Sequence, residues 1–452
     1  MYFFTSSTIS IAQTSFSFAM ADTEQIMIPN SNTWGLFNQP DGSIAYRKDS
    51  SGIRMWFTSA NHTVLFRGNS FDTLTPYPIQ NGRAVSVYGP SGTGFDSSYA
   101  GAYPVIPAAN GHDLLMFYHA ENHPCNSSSP FLGGIGLARS TDGGITWQRR
   151  GQVISTAAPK PTDCNFQIWG VGNPAVYRSP DSLYLYMLFI EWLRGNPVVR
   201  HDVLYLARAP IASDGEPGSW MKYSNGTFSE PGLGGLGTPV INRPPPNDTT
   251  TVYAGLPSVS WNVSLKRYLV IFQSRAGFHV ATSTDGVQWD TPRLIWAQPD
   301  FYKSTLLNIP GVAYPTLIST EQPSQMTTSA SGYIYYARGY PNSNPPHIMV
   351  RRPFRIYATS RVNPPTSFAL AQNYPNPFNP VTQIEYELPR ESHVSLKIYS
   401  IFGQVIAILI NGTQEAGYKS VKWNAVGVAS GVYFYRLQAG SYSEVKKLVL
   451  MK

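Results

Sequence analysis

The feature that most constrains this chain is a hairpin that comes round five times. Its clearest copy runs from Gly170 to Trp192, GVGNPAVYRSPDSLYLYMLFIEW: a glycine-rich entry, a proline, a short strand, a turn and a long apolar strand. Ser179-Pro180-Asp181 carries the residues that set a reversal. Leu183–Ile190 is apolar on both faces, as a doubly buried strand must be. Pro104 leads in the same way to Leu114–Tyr118, Pro257 to Tyr268–Phe272, and Pro315 to Tyr333–Tyr336. A weaker copy runs from Pro40 to Ile53–Phe57. Five copies of one β unit make a ring.

Composition agrees and removes several functions. Of 452 residues only 13% are charged, while 28 Tyr, 38 Gly and 37 Pro suit short strands joined by many turns. The net charge of +7 is spread thinly, with no dense basic run to grip nucleic acid. No stretch reaches the ~18 apolar residues of a membrane-spanning helix. Residues 1–21 end in Ala19-Met20-Ala21, an A-x-A-like cleavage site, yet the first basic residue is Arg47. An atypical signal peptide and a misplaced start both fit that stretch.

The first unit spans Trp34 to Ile79, with Asp41-Gly42 and Ser51-Gly52 read as turns. The second begins near Asp96 and passes through His119-Ala120-Glu121-Asn122-His123 to the octamer STDGGITW at Ser140–Trp147. A second copy, STDGVQW, lies at Ser283–Trp289. These turns resemble the Asp box (BNR repeat) of sialidases and other sugar-active β-propellers. Asp142 and Asp285 are expected to accept turn N–H groups while Trp147 and Trp289 pack beneath, a structural role rather than a catalytic one. The expected fold is therefore all-β, a five-bladed β-propeller over residues 22–360. The third blade runs from Asn173 to Tyr223, the fourth from Ala254 to Trp296 and the fifth from Val312 to Tyr357. A Gly- and Pro-rich loop, Glu230–Pro246, and an insertion, Thr320–Ser331, interrupt this pattern. The fifth blade is one strand short, and Glu24–Ile28 is the segment expected to supply it.

A linker over 361–372 leads to a separate β-sandwich, Ig-like, over 373–452. Asn373-Tyr374-Pro375-Asn376-Pro377-Phe378, Gly403 and the terminal KLVLMK resemble the C-terminal sorting domain of type IX secretion substrates of the Bacteroidetes. That resemblance implies passage through the periplasm, contact with the secretion machinery, and an extracellular or cell-surface destination.

In an antiparallel meander, the start of the first strand and the end of the second lie on one face. Around a ring these ends converge on a cup. Those positions hold Asn61, His62, Asp96, His119, Glu121, His123, Asn173, Glu191, Trp192, Arg275 and Arg338. Glu191, Glu121 and Asp96 are the candidate catalytic carboxylates, with Glu191 and Glu121 expected to face each other and one to have a raised pKa. His119, His123, Asn173, Arg275, Arg338 and Trp192 are the candidate substrate contacts, and no metal set is complete. The inner hairpins resemble the arabinanase, levansucrase and invertase class of five-bladed glycoside hydrolases, family 43-like. Here Gly172-Asn173-Pro174 stands where those enzymes put acids, and Tyr103, Leu256 and Tyr314 precede the other prolines. Glycoside hydrolysis, non-catalytic glycan binding or adhesion, and a sialidase-like activity all remain open. The expected partner is a carbohydrate, the chain a monomer without cofactor apart from a structural Ca2+ or other cation allowed in the central channel. Cys125 and Cys164, on loops of the cup face, are expected to pair in an oxidising compartment.

Overall fold

The computed structural model describes residues 16–28, 34–125, 130–166, 168–194, 203–241, 255–301, 308–339, 347–358, 365 and 367–451. Most of the linker, the far end of the Gly- and Pro-rich loop, and residues 1–15 lie outside the described residues. The named elements of the described residues are β-strands and two short 3-10 turns. Two compact bodies divide the chain, one over Phe18–Met20 and Glu24–Ile356, the other built mainly from Tyr357–Lys452.

The larger body is five antiparallel modules. The first holds Ala45–Asp49, Gly52–Ser59, His62–Gly68 and Thr75–Pro76. The second holds Tyr99–Pro107, Leu114–Asn122, Phe131–Ser140 and Gln148–Ile154. The third holds Ile168–Arg178, Tyr184–Arg194, Leu204–Pro210, Met221–Ser224 and Thr227–Pro231. Gly255–Asn262, Arg267–Ser274, Gly277–Ser283 and Arg293–Ala297 make the fourth. Gly311–Ile318, Ser331–Gly339 and His347–Ala358 make the fifth.

Apolar side chains seal each module to the next. Trp56 and Leu65 share a core with Met116 and Tyr118, and Phe117 shares one with Met187 and Phe189. Leu188 and Leu206 pack with Val270 and Phe272, Phe278 meets Tyr336, and Tyr335 meets Tyr46 and Phe57. The order closes on itself, so each sheet buries both faces without a helix. The fifth module is completed from the N-terminus: Gln25 pairs with Arg351, Ile26 with Val350, and Phe18 stacks on Phe354 at 5.3 Å. Phe16–Met20, within the stretch read as a signal, is itself a strand of that sheet.

Three of the five proline anchors meet at the centre. Pro104, Pro174 and Pro257 line one cavity with Ser43, Ile44 and Gln325. Gln325 comes from the insertion in the fifth module and spans the cavity, accepting Tyr46 N–H at 2.9 Å and donating to Val105 O at 3.0 Å. The same insertion pairs Thr327 with Trp261 and bridges Ser324 to Arg47. A segment that the sequence marks only as an interruption thus ties modules one, two and four together.

At the two Ser-Thr-Asp-Gly motifs the turns close on their own aspartates. Asp142 accepts N–H groups from Ile145 and Thr146 and the hydroxyls of Thr146 and Ser140, bonds that outweigh burial and hold its carboxyl at about 2. Asp285 accepts from Val287 and Gln288 at 2.8 Å each. Trp147 packs edge-on against Trp56, and Trp289 against Tyr177.

In the second body, Val381–Leu388 alternates half-buried and buried, the period-2 signature of a sandwich strand. It pairs with Gly417–Asn424, while Ser392–Ser400 lies between Val405–Gln414 and Gly431–Ala439, which pairs in turn with Tyr442–Leu450. Leu396, Tyr435 and Leu448 fill the core. Asn373 is buried with its amide on Thr382 Oγ1 at 2.9 Å, and Phe378 N–H bonds to Val449 O at 2.9 Å, so the NYPNPF segment is fastened to the final strand.

Candidate functional site

The cup is shaped by a repeated irregularity. In modules two to five the inner strand loses register at the anchor proline, between Ala102 and Val105, Gly172 and Ala175, Gly255 and Ser258, and Ala313 and Thr316. Asn173, Leu256 and Tyr314, each just before its proline, take positive φ of 53°, 54° and 57°. Such backbone is uncommon for residues with a Cβ, and it turns these side chains out of the ladder.

Two carboxylates stand among them. Asp41 follows the first anchor and is partly exposed. Tyr314 donates to its Oδ1 at 2.7 Å, and Tyr99 donates to its carbonyl at 2.6 Å. Withdrawal from water lifts the Asp41 carboxyl to about 6, with the Tyr314 bond pulling it down and the charge of Glu121 adding to the rise. Glu121 is the penultimate residue of the second strand of module two. Its Oε1 lies 3.0 Å from His119 Nε2 and its Oε2 lies 2.6 Å from His123 Nε2. Burial pushes Glu121 up, but the bonds from both imidazoles outweigh it and hold the carboxyl below its ordinary value. An ionised carboxylate only accepts, so both histidines present Nε2–H to it.

Aromatic rings wall this pair in. His119 packs against Tyr99, Tyr103, Phe131 and Trp192, with centroids 5.5, 6.3, 6.2 and 5.6 Å away. Tyr103 donates to Asn173 Oδ1, which ties module two to module three. Trp192 is only 7% exposed, so it backs the imidazole rather than offering a face to a ligand. Beside Pro40 and the Tyr314 ring, burial lowers His347 to about 4, so this imidazole is neutral.

Glu121, His119, His123 and Asn173 therefore gather as the meander argument expects, whereas Asp96, Glu191 and Arg338 are engaged with other groups. Asp96 is 3% exposed and saturated: it accepts Tyr118 OH at 3.0 Å, Arg149 Nε at 2.9 Å and Ser91 Oγ at 2.6 Å. It is a buried ion-pair anchor. Glu191 neighbours Tyr205 and Lys222, and its charge supports the buried Lys222 ammonium. The raised carboxyl is that of Asp41, and the carboxyl of Glu121 is lowered. Arg338 pairs with Glu24 at 3.1 Å, a consequence of the N-terminal strand joining module five. Arg275 sits, partly exposed, in the turn between the second and third strands of module four.

Asp41 escaped the sequence reading because Asp-Gly is a turn signal. Its place directly after an anchor proline was the signal that could have found it. The central cavity does not suit a cation: prolines, aliphatic groups and two serines line it without a carboxylate, and Gln325 Oε1 already accepts a backbone N–H. Among the described residues no group of three His, Cys, Asp or Glu side chains is set to hold a metal. Cys125 and Cys164 form a disulfide with Cα atoms 6.2 Å apart.

Comparison with known proteins adds the following. No curated protein matches the sequence. The catalytic domain of a GH62 alpha-L-arabinofuranosidase from Coprinopsis cinerea is similar at 13% identity and TM-score 0.44, over 75% of this chain and 97% of that one. An endo-1,4-beta-xylanase from Bacteroides thetaiotaomicron is similar at 11% identity and TM-score 0.43, over 85% and 98%. An endo-arabinase from the same bacterium is similar at 9% identity and TM-score 0.37, over 70% and 96%. Residues 372–451 match the secretion system C-terminal sorting domain family. That domain marks the chain for secretion to the cell surface or beyond.

Proposed function

We propose that this chain is a secreted carbohydrate-active five-bladed β-propeller that hydrolyses a glycosidic bond in its cup, with Asp41 as proton donor and Glu121 as the anionic partner. One observation carries the reading: two neighbouring carboxyls have environments that push their pKa values apart. Asp41 holds a proton up to about pH 6, while Glu121 is kept ionised between two imidazoles. Glycosidic cleavage needs that division, an acid for the leaving oxygen and an anion facing the oxocarbenium-like transition state. Tyr314 orients the Asp41 carboxyl, and Asn173 with Tyr103 fixes the opposite side of the cup.

A second reading keeps the glycan and drops the chemistry. Its support is that the positions before the later anchor prolines are Tyr103, Asn173, Leu256 and Tyr314, none of them acidic. The sialidase-like reading loses support, because Arg338 is committed to Glu24. Incubating the full chain with plant and algal polysaccharides and measuring reducing ends separates the first two. Release by the unsubstituted protein that Asp41→Asn abolishes supports hydrolysis. Glycan retention with no release from any substrate leaves binding alone.

A further inference from the structure

The disulfide and the Glu121 cluster lie on one short segment. His123, whose ring holds Glu121 Oε2 at 2.6 Å, is two residues before Cys125. Cys164 lies on the link that enters module three, just before Ile168, Trp169 and Gly170 pair in parallel with Phe131, Leu132 and Gly133 of module two. The bond therefore ties the end of the His123 segment to the seam between two modules. Upstream, that segment is held through His123 N–H on Ser98 Oγ at 3.1 Å and Ser98 N–H on Glu121 O at 3.0 Å. His119, by contrast, sits within a strand and needs no such fastening.

We propose that the Cys125–Cys164 disulfide is a positioning device for the cup: it seats His123 on Glu121, so the anionic carboxylate is completed only in the oxidised, exported chain. The two thiols lose two protons and two electrons to a protein or small-molecule disulfide, which is reduced to two thiols, and the S–S bond forms. Glu121 then gains the second of its two imidazole partners. Without the bond, the segment beyond Asn122 is freed at one end, and Glu121 keeps His119 alone. The other groups facing this carboxylate are Asp41, Tyr99, Tyr103 and Tyr314, all of which either repel its charge or are neutral. None of them replaces a lost imidazole. The idea rests on Glu121 as the cup's working anion, but its test does not require any glycan.

The test is the titration of the Glu121 carboxyl by carbon-detected NMR in the full chain, disulfide intact and after reduction by a phosphine. His123→Asn with the disulfide intact sets the scale, since it removes the imidazole that holds Glu121 Oε2 and should raise the Glu121 pKa by about one unit. Reduction of the unsubstituted chain, and the Cys125→Ser, Cys164→Ser double variant, should reproduce most of that rise while the amide spectrum of the ring is kept. Three outcomes overturn the proposal. Glu121 could titrate identically in oxidised and reduced chains, it could be unmoved by His123→Asn, or reduction could unfold the ring, which would make the bond a global staple. A Glu121 shift without any polysaccharide cleavage would support the positioning role and sink only the hydrolytic reading.

Discussion

His119 in module two and Glu191 in module three occupy the same place in the repeat. His119 pairs with Gly101 and Glu191 with Val171, each the third residue before its anchor proline. Two residues earlier, Phe117 and Phe189 enter one shared core, so both strands send this parity into the space between the two modules. Yet His119 reaches Glu121 and a wall of aromatic rings, whereas Glu191 neighbours Tyr205 and the Lys222 ammonium. Strand register fixes where a side chain starts. What it does depends on the outer strands and the links between modules, and those are what the repeat leaves free.

The largest effect should come from the two cup carboxylates. Asp41→Asn keeps the shape and the bond from Tyr314 but removes the transferable proton, so turnover should fall by ~10²–10⁴-fold, the range general acid catalysis contributes. Glu121→Gln should cost about as much, because an amide carries no charge for the transition state. Both are read as reducing-end release at the optimum pH. The pH profile should be bell-shaped. It should fall above about pH 6, as Asp41 loses its proton, and fall again below the ordinary carboxylate range, as Glu121 gains one. Stability should follow with opposite signs. The raised Asp41 weakens the fold as pH rises from about 4 through 6, and the depressed Glu121 weakens it as pH falls through its lowered folded value.

Asp96 shows how the same residue type is used purely for structure. Its buried carboxylate holds the exposed Arg149 guanidinium and two hydroxyls. Asp96→Ala should destabilise the larger body by about 2 kcal/mol, because the buried Tyr118 hydroxyl loses its acceptor while water can reach the Arg149 guanidinium. A melting temperature unchanged within a degree would mean that water replaces the carboxylate without loss.

These contrasts mark how far the sequence could be read. The ring was legible because the anchor prolines and apolar second strands recur, and because turn residues separate them. Glu121, His119 and His123 were legible because strand ends on one face of a meander must converge. Asp41 was not, since an Asp-Gly pair signals a turn whatever its carboxyl later meets. Asp96 and Arg338 were misplaced for a different reason. Their partners, Arg149 and Glu24, lie 53 and 314 residues away in the chain, and no local pattern announces them.

Tyr314→Phe should act more gently. It removes the bond that Tyr314 donates to Asp41, and that bond favours the ionised carboxyl. Asp41 should then keep its proton to higher pH, moving the alkaline limb of the profile upward by about half a unit, with peak turnover reduced less than about tenfold. A limb that stays in place would show that another group sets it.

The smallest effect should be that of Glu191→Gln, and it bears most directly on the contrast with His119. Lys222 is 1% exposed, and burial lowers its pKa; it donates to Ser155 O at 2.6 Å and Gly235 O at 2.7 Å, with the charge of Glu191 helping to keep it protonated. Removing that charge should cost stability, about 1 kcal/mol, because two carbonyl bonds still hold the ammonium. Turnover should stay within about twofold of the unsubstituted chain, since Glu191 neither donates to nor charges the Asp41 and Glu121 pair. The measurement is a kinetic comparison of Glu191→Gln with Glu121→Gln at one pH, alongside their melting curves. If Glu191→Gln abolishes turnover while Glu121→Gln spares it, the anionic partner lies in module three. The shared place in the repeat would then have been the better guide than the local field.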